Sequence, residues 1–135
     1  MKVIVDTSVW SMALRRSRVT ATATSHELAE LIREGRVVML GPIRQELLSG
    51  IKTQGQFERL CGHLRAFPDL VLETADYEDA ASAFNQCRGR GVQGSNTDFL
   101  ICAVSLRRNY SIFTADDDFQ RFAGVVGIRL HDPRF

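Results

Sequence analysis

Lysine is almost missing from this chain: Lys2 and Lys52 are the only two among seventeen basic residues. Arginine therefore carries nearly all the positive charge; its fork matches phosphate oxygens, but its abundance also follows genomic base composition. Cysteine is sparse as well, with Cys61, Cys87 and Cys102 odd in number and forming no pair at metal-type spacing. That argues against a disulfide framework and a thiolate zinc site, and for a reducing compartment. His26, His63 and His131 are scattered, so no imidazole cluster arises either. No apolar run approaches bilayer-spanning length. The opening stretch reaches Asp6 after only three apolar residues, too short for a signal peptide. The expectation is a cytoplasmic protein. Internal repeats, low-complexity tracts and a Walker-type phosphate loop are also missing.

What is present is ordinary for a soluble globular protein. The chain has 135 residues, 44% of them hydrophobic and 24% charged, with a net charge of +1. One domain over residues 1–135 is expected, long enough to bury a core. Val3-Ile4-Val5 is a short β-branched run that reads as a strand buried on both faces. Thr7 or Ser8 is placed to cap a short helix carrying Trp10, Met12 and Ala13. Thr24 and Glu27 have capping-box spacing ahead of a stripe of Leu28, Leu31 and Ile32, and Gly35 supplies the stop. Val37–Leu40 reads as a second strand, followed by Gly41-Pro42 and a short helix with Ile43 and Leu47 on its apolar side.

Phe57, Leu60, Cys61 and Leu64 recur at helical spacing, Leu70–Leu72 reads as a third strand, and Tyr77, Ala80, Ala81, Phe84 and Cys87 define another helix. Asn96 or Thr97 caps a nearly all-apolar helix, Phe99–Val104, with Asp98 in its first turn. Ser111–Phe113 is the fourth strand, a short helix with Phe119 and Phe122 follows, and Gly127–Leu130 is the last strand. Strands alternating with helices imply α/β architecture: a parallel sheet with helices on both faces.

The stretch Thr114-Ala115-Asp116-Asp117-Asp118-Phe119 holds three consecutive carboxylates, more than a helix start needs for capping or for its dipole. Their mutual repulsion costs stability unless a cation offsets it. In an open parallel sheet, ligands bind beyond the carboxyl ends of the strands. Asp6 lies at that end of the first strand and Asp116 just past that of the fourth. Glu46 follows the second strand by about one helical turn and can reach the same edge. The helix bearing Asp98 must run down toward the opposite edge to feed the fourth strand, so its first turn joins the other acids. A buried acid after Val3-Ile4-Val5 is expensive without a partner, and no basic residue is obviously placed beside all four. A hard divalent cation with oxygen ligands, magnesium or manganese, would relieve the repulsion.

Asp6-Thr7-Ser8-Val9-Trp10, Glu46 after Gly41-Pro42, Asn96–Ala103 and Thr114–Phe119 together resemble the PIN domain, and most closely the VapC-type toxins of bacterial toxin–antitoxin pairs. The likeness covers essentially the whole chain, in order. It implies a PIN-like α/β/α sandwich with a central parallel sheet of four or five strands. It also implies a ribonuclease that hydrolyses RNA phosphodiesters with Mg2+ or Mn2+. Carried over by position, the catalytic acids are Asp6, Glu46, Asp98 and Asp116. Of these, Asp6, Asp98 and Asp116 are metal ligands, and Glu46 completes the shell or orients the nucleophile. Asp118 matches a further ligand or orienting group, Thr114 matches a hydroxyl near the metal, and Asp117 has no fixed counterpart. The resemblance further implies a small cognate antitoxin, a homodimer, and contact with DNA only through the antitoxin.

An acidic pocket must still attract a polyanion, and Arg15, Arg16, Arg18, Arg88 and Arg90 are candidates for a basic rim that contacts RNA. Exposed apolar residues near Trp10, Leu14 and the helix with Phe57 are candidates for a partner interface. The run Gly89-Arg90-Gly91-Val92-Gln93-Gly94 formally matches a dinucleotide-binding loop, but it follows a helix instead of a strand and precedes an acid where pyrophosphate would dock. A haloacid-dehalogenase-like site wants a second Asp where Ser8 stands, and a receiver domain wants a lysine near the last strand. The alternative left standing is a non-catalytic PIN-like module whose acidic pocket receives a basic segment of a partner.

Overall fold

The computed structural model describes residues 1–15 and 22–135. Its centre is strand β1 (Val3–Val5), which pairs in parallel with β2 (Val37–Val38) on one side and β3 (Ser111–Phe113) on the other. The register is Val3 to Val37 and Ser111, Ile4 to Val38 and Ile112, and Val5 to Phe113. Successive strand residues point to opposite faces, and all three side chains of β1 are fully buried, so both faces of the sheet are covered. The covering helices form two packed groups. In one, α1 (Thr7–Arg15) lies against α2 (Ala23–Arg33) and α3 (Gly41–Leu48), and α3 against α4 (Gln54–Leu64). In the other, α5 (Thr74–Gly89) packs on α6 (Asn96–Arg108) and α7 (Asp118–Val126).

Among the described residues the sheet has three full strands, against the four or five expected. The segments expected as outer strands at Leu70–Leu72 and Gly127–Leu130 shrink to single parallel bridges, Met39 to Asp69 and Ile112 to Leu130. At the first edge, Pro68 has no N–H to give and Val71 is 82% exposed, so the segment cannot continue as a buried strand. There Asp69 is instead held by Arg44, whose guanidinium also donates to the carbonyls of Leu64 and Phe67. At the other edge, Gly127 is in the left-handed region (φ 74°) and closes α7 instead of opening a strand.

The cap of α2 also differs from expectation. Thr22 and Ser25 form the capping box, not Thr24 and Glu27. Glu27 is fully buried and committed elsewhere: it accepts from Arg134 Nε at 3.0 Å and pairs with His131 Nε2 at 2.5 Å, tying the C-terminal segment to α2. Burial alone would raise the Glu27 carboxyl, but the hydrogen bonds from His131 and Arg134 bring it below its ordinary value. On α5 the buried side is Asp76, Ala80, Ala83 and Cys87, which leaves Tyr77 exposed. Asp76 is there because Arg107 Nε (2.9 Å) and Arg108 Nη1 (2.6 Å) reach it from the last turn of α6. This pair of contacts fixes the long axis of α6, whose other end carries Asp98.

That other end is set by close packing. A Cβ on Gly94, just before the α6 cap, would lie 2.5 Å from Phe122 Cζ and 3.1 Å from Phe99 Cε2. Gly94→Ala is expected to destabilise the protein by about 1–3 kcal/mol, because backbone or aromatic rings must shift, as read by urea unfolding. Asp76 makes a separate prediction. Hydrogen bonds from Arg108 above all, opposed by burial and reinforced by the Glu73 N–H and Arg107, hold its carboxyl well below the usual carboxylate range. Its contribution is present above the unfolded value near ~3.9 and is lost as pH falls through the lower folded value. Asp76→Asn should therefore cost roughly 2–3 kcal/mol at pH 7, less than a fully sealed pair because both arginines reach solvent. The gap between variant and wild type should narrow at pH 3, measured by the same unfolding curves.

Candidate active site

Asp6 is only 5% exposed, and its own N–H donates to the Phe113 carbonyl at 2.9 Å, extending the β1–β3 pairing one residue beyond the strand. Its carboxylate is fixed by two hydroxyls. Ser8 Oγ and Thr114 Oγ1 both donate to Asp6 Oδ2, at 2.7 and 2.9 Å. Each hydroxyl oxygen in turn accepts a backbone amide of the turn after β3: Ser8 Oγ from Ala115 N at 3.0 Å, Thr114 Oγ1 from Asp116 N at 3.0 Å. The turn then continues to α7 through Asp116 Oδ1, which accepts from Asp118 N at 2.9 Å.

Glu46 arrives from α3 and accepts a 2.6 Å hydrogen bond from Thr7 Oγ1 on its Oε1. Asp98 sits in the first turn of α6, where Ser95 is the cap instead of Asn96 or Thr97. The two residues form a reciprocal box, Asp98 Oδ2 accepting from Ser95 N at 3.0 Å and Ser95 Oγ accepting from Asp98 N at 3.1 Å. Burial pushes the Asp98 carboxyl above its ordinary value; the Ser95 backbone and hydroxyl oppose this, and the negative charges of Asp6 and Asp116 add to the rise. Asp6 and Asp116 thus stand within electrostatic reach of Asp98.

A common pattern runs through all four acids. Each gives one oxygen to a donor of the protein: Asp6 Oδ2, Glu46 Oε1, Asp98 Oδ2 and Asp116 Oδ1. Among the described residues, the second oxygen of each has no protein donor and forms no ion pair. Also among them, no three Asp, Glu, His or Cys side chains are packed closely enough to hold a metal ion as they stand. The arrangement is open and oxygen-only, which fits a magnesium-sized ion that retains several waters and takes only one or two carboxylates directly.

The remaining expected residues divide. Asp118 turns its carboxylate to Arg121 and contributes its backbone N–H to Asp116. Asp117 is exposed. Arg88 and Arg90 are exposed at the end of α5, from which residues 90–95 lead straight into the α6 cap, with the Arg88 Cζ 5.5 Å over the Phe84 ring. Arg16 and Arg18 lie outside the described residues, as does the side chain of Arg15. Trp10 is core, packed edge-on against Phe67 at 5.1 Å, whereas Leu14 is 40% exposed beside a groove completed by Leu47, Ile51 and Leu60. Thr7 and Ser8 enter the sequence reading as helix caps and as part of the Asp6–Trp10 motif, with no site role assigned, yet both touch site acids. The signal for them was three oxygen-bearing side chains in succession directly after a buried strand.

A family model described as "PIN domain" matches residues 3–125. No curated protein sequence matches the chain. Among solved structures, FitAcB from Neisseria gonorrhoeae is similar at 18% identity and a TM-score of 0.74, covering 97% of each chain. VapBC2 from Rickettsia felis, bound to a promoter DNA fragment, is similar at 14% identity and a TM-score of 0.75, covering 97% of this chain and 98% of that one. VapBC-1 from nontypeable Haemophilus influenzae is similar at 17% identity and a TM-score of 0.70, covering 98% of each chain. At such identities these likenesses establish a shared fold.

The raised Asp98 carboxyl yields a prediction with a definite sign. A raised folded value means that the group's stabilising contribution is present at low pH and lost as pH rises through that value. Asp98→Asn keeps an acceptor for Ser95 N while removing the charge. It should therefore raise the melting temperature of the protein in EDTA at pH 7 and leave it unchanged at pH 3.

Proposed function

The chain belongs to the PIN domain family, and on that premise we propose that it is a divalent-metal-dependent endoribonuclease, the toxin of a toxin–antitoxin pair. The observation that carries this reading is the pattern of half-used carboxylates, four acids from separate elements each holding one oxygen back. Asp6, Asp98 and Asp116 would hold Mg2+ or Mn2+ through those oxygens. When bound, such an ion supplies an activated water nucleophile and charge neutralisation at a phosphodiester.

The chain's own groups supply the rest. Ser8 and Thr114 orient the buried Asp6 carboxylate by donating to its Oδ2. The Ser95 N–H and hydroxyl favour the charged form of Asp98 against burial and its acidic neighbours. Glu46, fixed by Thr7, orients the attacking water or closes the ligand set. Arg88 and Arg90, exposed at the end of α5 ahead of the α6 cap, would counter the phosphate backbone of a bound RNA.

An antitoxin partner is supported by the solved structures that share this fold, which include VapBC and FitAB assemblies. The groove between α1, α3 and α4, with Leu14 exposed at its rim, offers an apolar seat for a segment of such a partner. Pairing of two copies belongs to the same reading, as does contact with operator DNA through the antitoxin alone.

Cleavage of RNA should require added Mg2+ or Mn2+ and fall at least about a hundredfold in Asp6→Asn and Asp98→Asn. Metal-independent cleavage, or full activity in both variants, would overturn the assignment. Binding of a basic peptide with no cleavage under any metal would favour the non-catalytic module.

A further inference from the structure

We propose that Ser8 is a positioning residue that locks Asp6 and the turn carrying Asp116 into one geometry suited to cation binding. The inference rests on the reading of these acids as a metal site and deepens it. Ser8 Oγ donates to Asp6 Oδ2 at 2.7 Å while accepting from Ala115 N at 3.0 Å, and it lies 3.4 Å from Thr114 Oγ1. It thereby joins the start of α1 to the β3–α7 turn, two segments more than a hundred residues apart.

Thr114 does not duplicate this link. It donates to the same Asp6 oxygen, but it is itself part of the turn, and the amide it accepts belongs to Asp116. With Ser8 removed, Ala115 N loses its acceptor and one of the two donors that orient Asp6 is gone. Asp116 would then be held to Asp6 through Thr114 alone. Only a group that donates and accepts at once can fill the position: a hydroxyl does both, a thiol does so weakly, and a methyl does neither. Groups that orient a metal ligand typically change metal affinity by ~10–100-fold when removed.

The test is the affinity of the full chain for Mn2+, measured by titration calorimetry at pH 7.5, alongside thermal melting of each protein in EDTA. Ser8→Ala and Ser8→Cys should weaken Mn2+ binding about tenfold. Ser8→Thr, which keeps the hydroxyl, should remain within about twofold of wild type. The cysteine variant preserves volume and carries the comparison if the alanine variant does not fold. A purely structural role predicts a lower melting temperature in Ser8→Ala with unchanged Mn2+ affinity, and that outcome overturns the proposal. So does a Ser8→Thr variant that loses as much affinity as Ser8→Ala. Failure of the wild-type chain to bind Mn2+ would instead overturn the metal reading on which the proposal stands.

Discussion

The backbone hydrogen bond from Asp6 N to the Phe113 carbonyl is the constraint on which the site depends. It extends β1–β3 pairing one residue beyond the central strand, so the first residue out of the sheet is still held. A parallel ladder delivers strand ends to one edge, and here it delivers Asp6 and Thr114 side by side. The sheet needs few residues to do this. Three strands of two or three residues suffice, because β1 is sealed on both faces and leaves no room for slippage in register.

From that fixed point the acids are held in place by neutral donors. Burial above all, with the negative charges of Asp6 and Asp116 adding to it, raises the energy of the ionised Asp98 carboxylate. Hydroxyls and amides offset part of this cost while leaving the net charge in place. An arginine would have cancelled the charge and, with it, the reason for a cation to bind. The fold thus keeps its charged edge at some expense to stability, a compromise typical of functional sites.

Much of this was legible in the residues. The buried run Val3–Val5, the alternation of strands and helices, and the delivery of Asp6, Glu46, Asp98 and Asp116 to one end follow from periodicity and topology alone. The misses have physical causes. Leu70–Leu72 has the composition of a strand, but strand composition cannot reveal that Arg44 captures the segment at Asp69 before a ladder extends. Thr24 and Glu27 have capping-box spacing, but spacing does not show that Glu27 is claimed by His131 and Arg134 from the far end of the chain. Asp76 was invisible for the same reason, its arginine partners lying more than thirty residues away. Local pattern finds elements; it does not find the long-range partners of charged groups.

Those partners also separate the chain's acids into two kinds. Asp76 and Glu27 are buried and fully answered by arginine or histidine, and their carboxyls are held below ordinary values. Asp6 is nearly as buried, yet among the described residues it is answered only by hydroxyls. Burial is therefore no guide to role on its own. A buried acid with a cationic side chain against it closes its electrostatic account within the fold. A buried acid given only neutral donors, beside other acids, leaves negative charge that no cationic side chain among the described residues meets. That distinction, made from hydrogen-bond partners and not from sequence motifs, is what sets the edge beyond β1 and β3 apart from every other acidic cluster described in the protein.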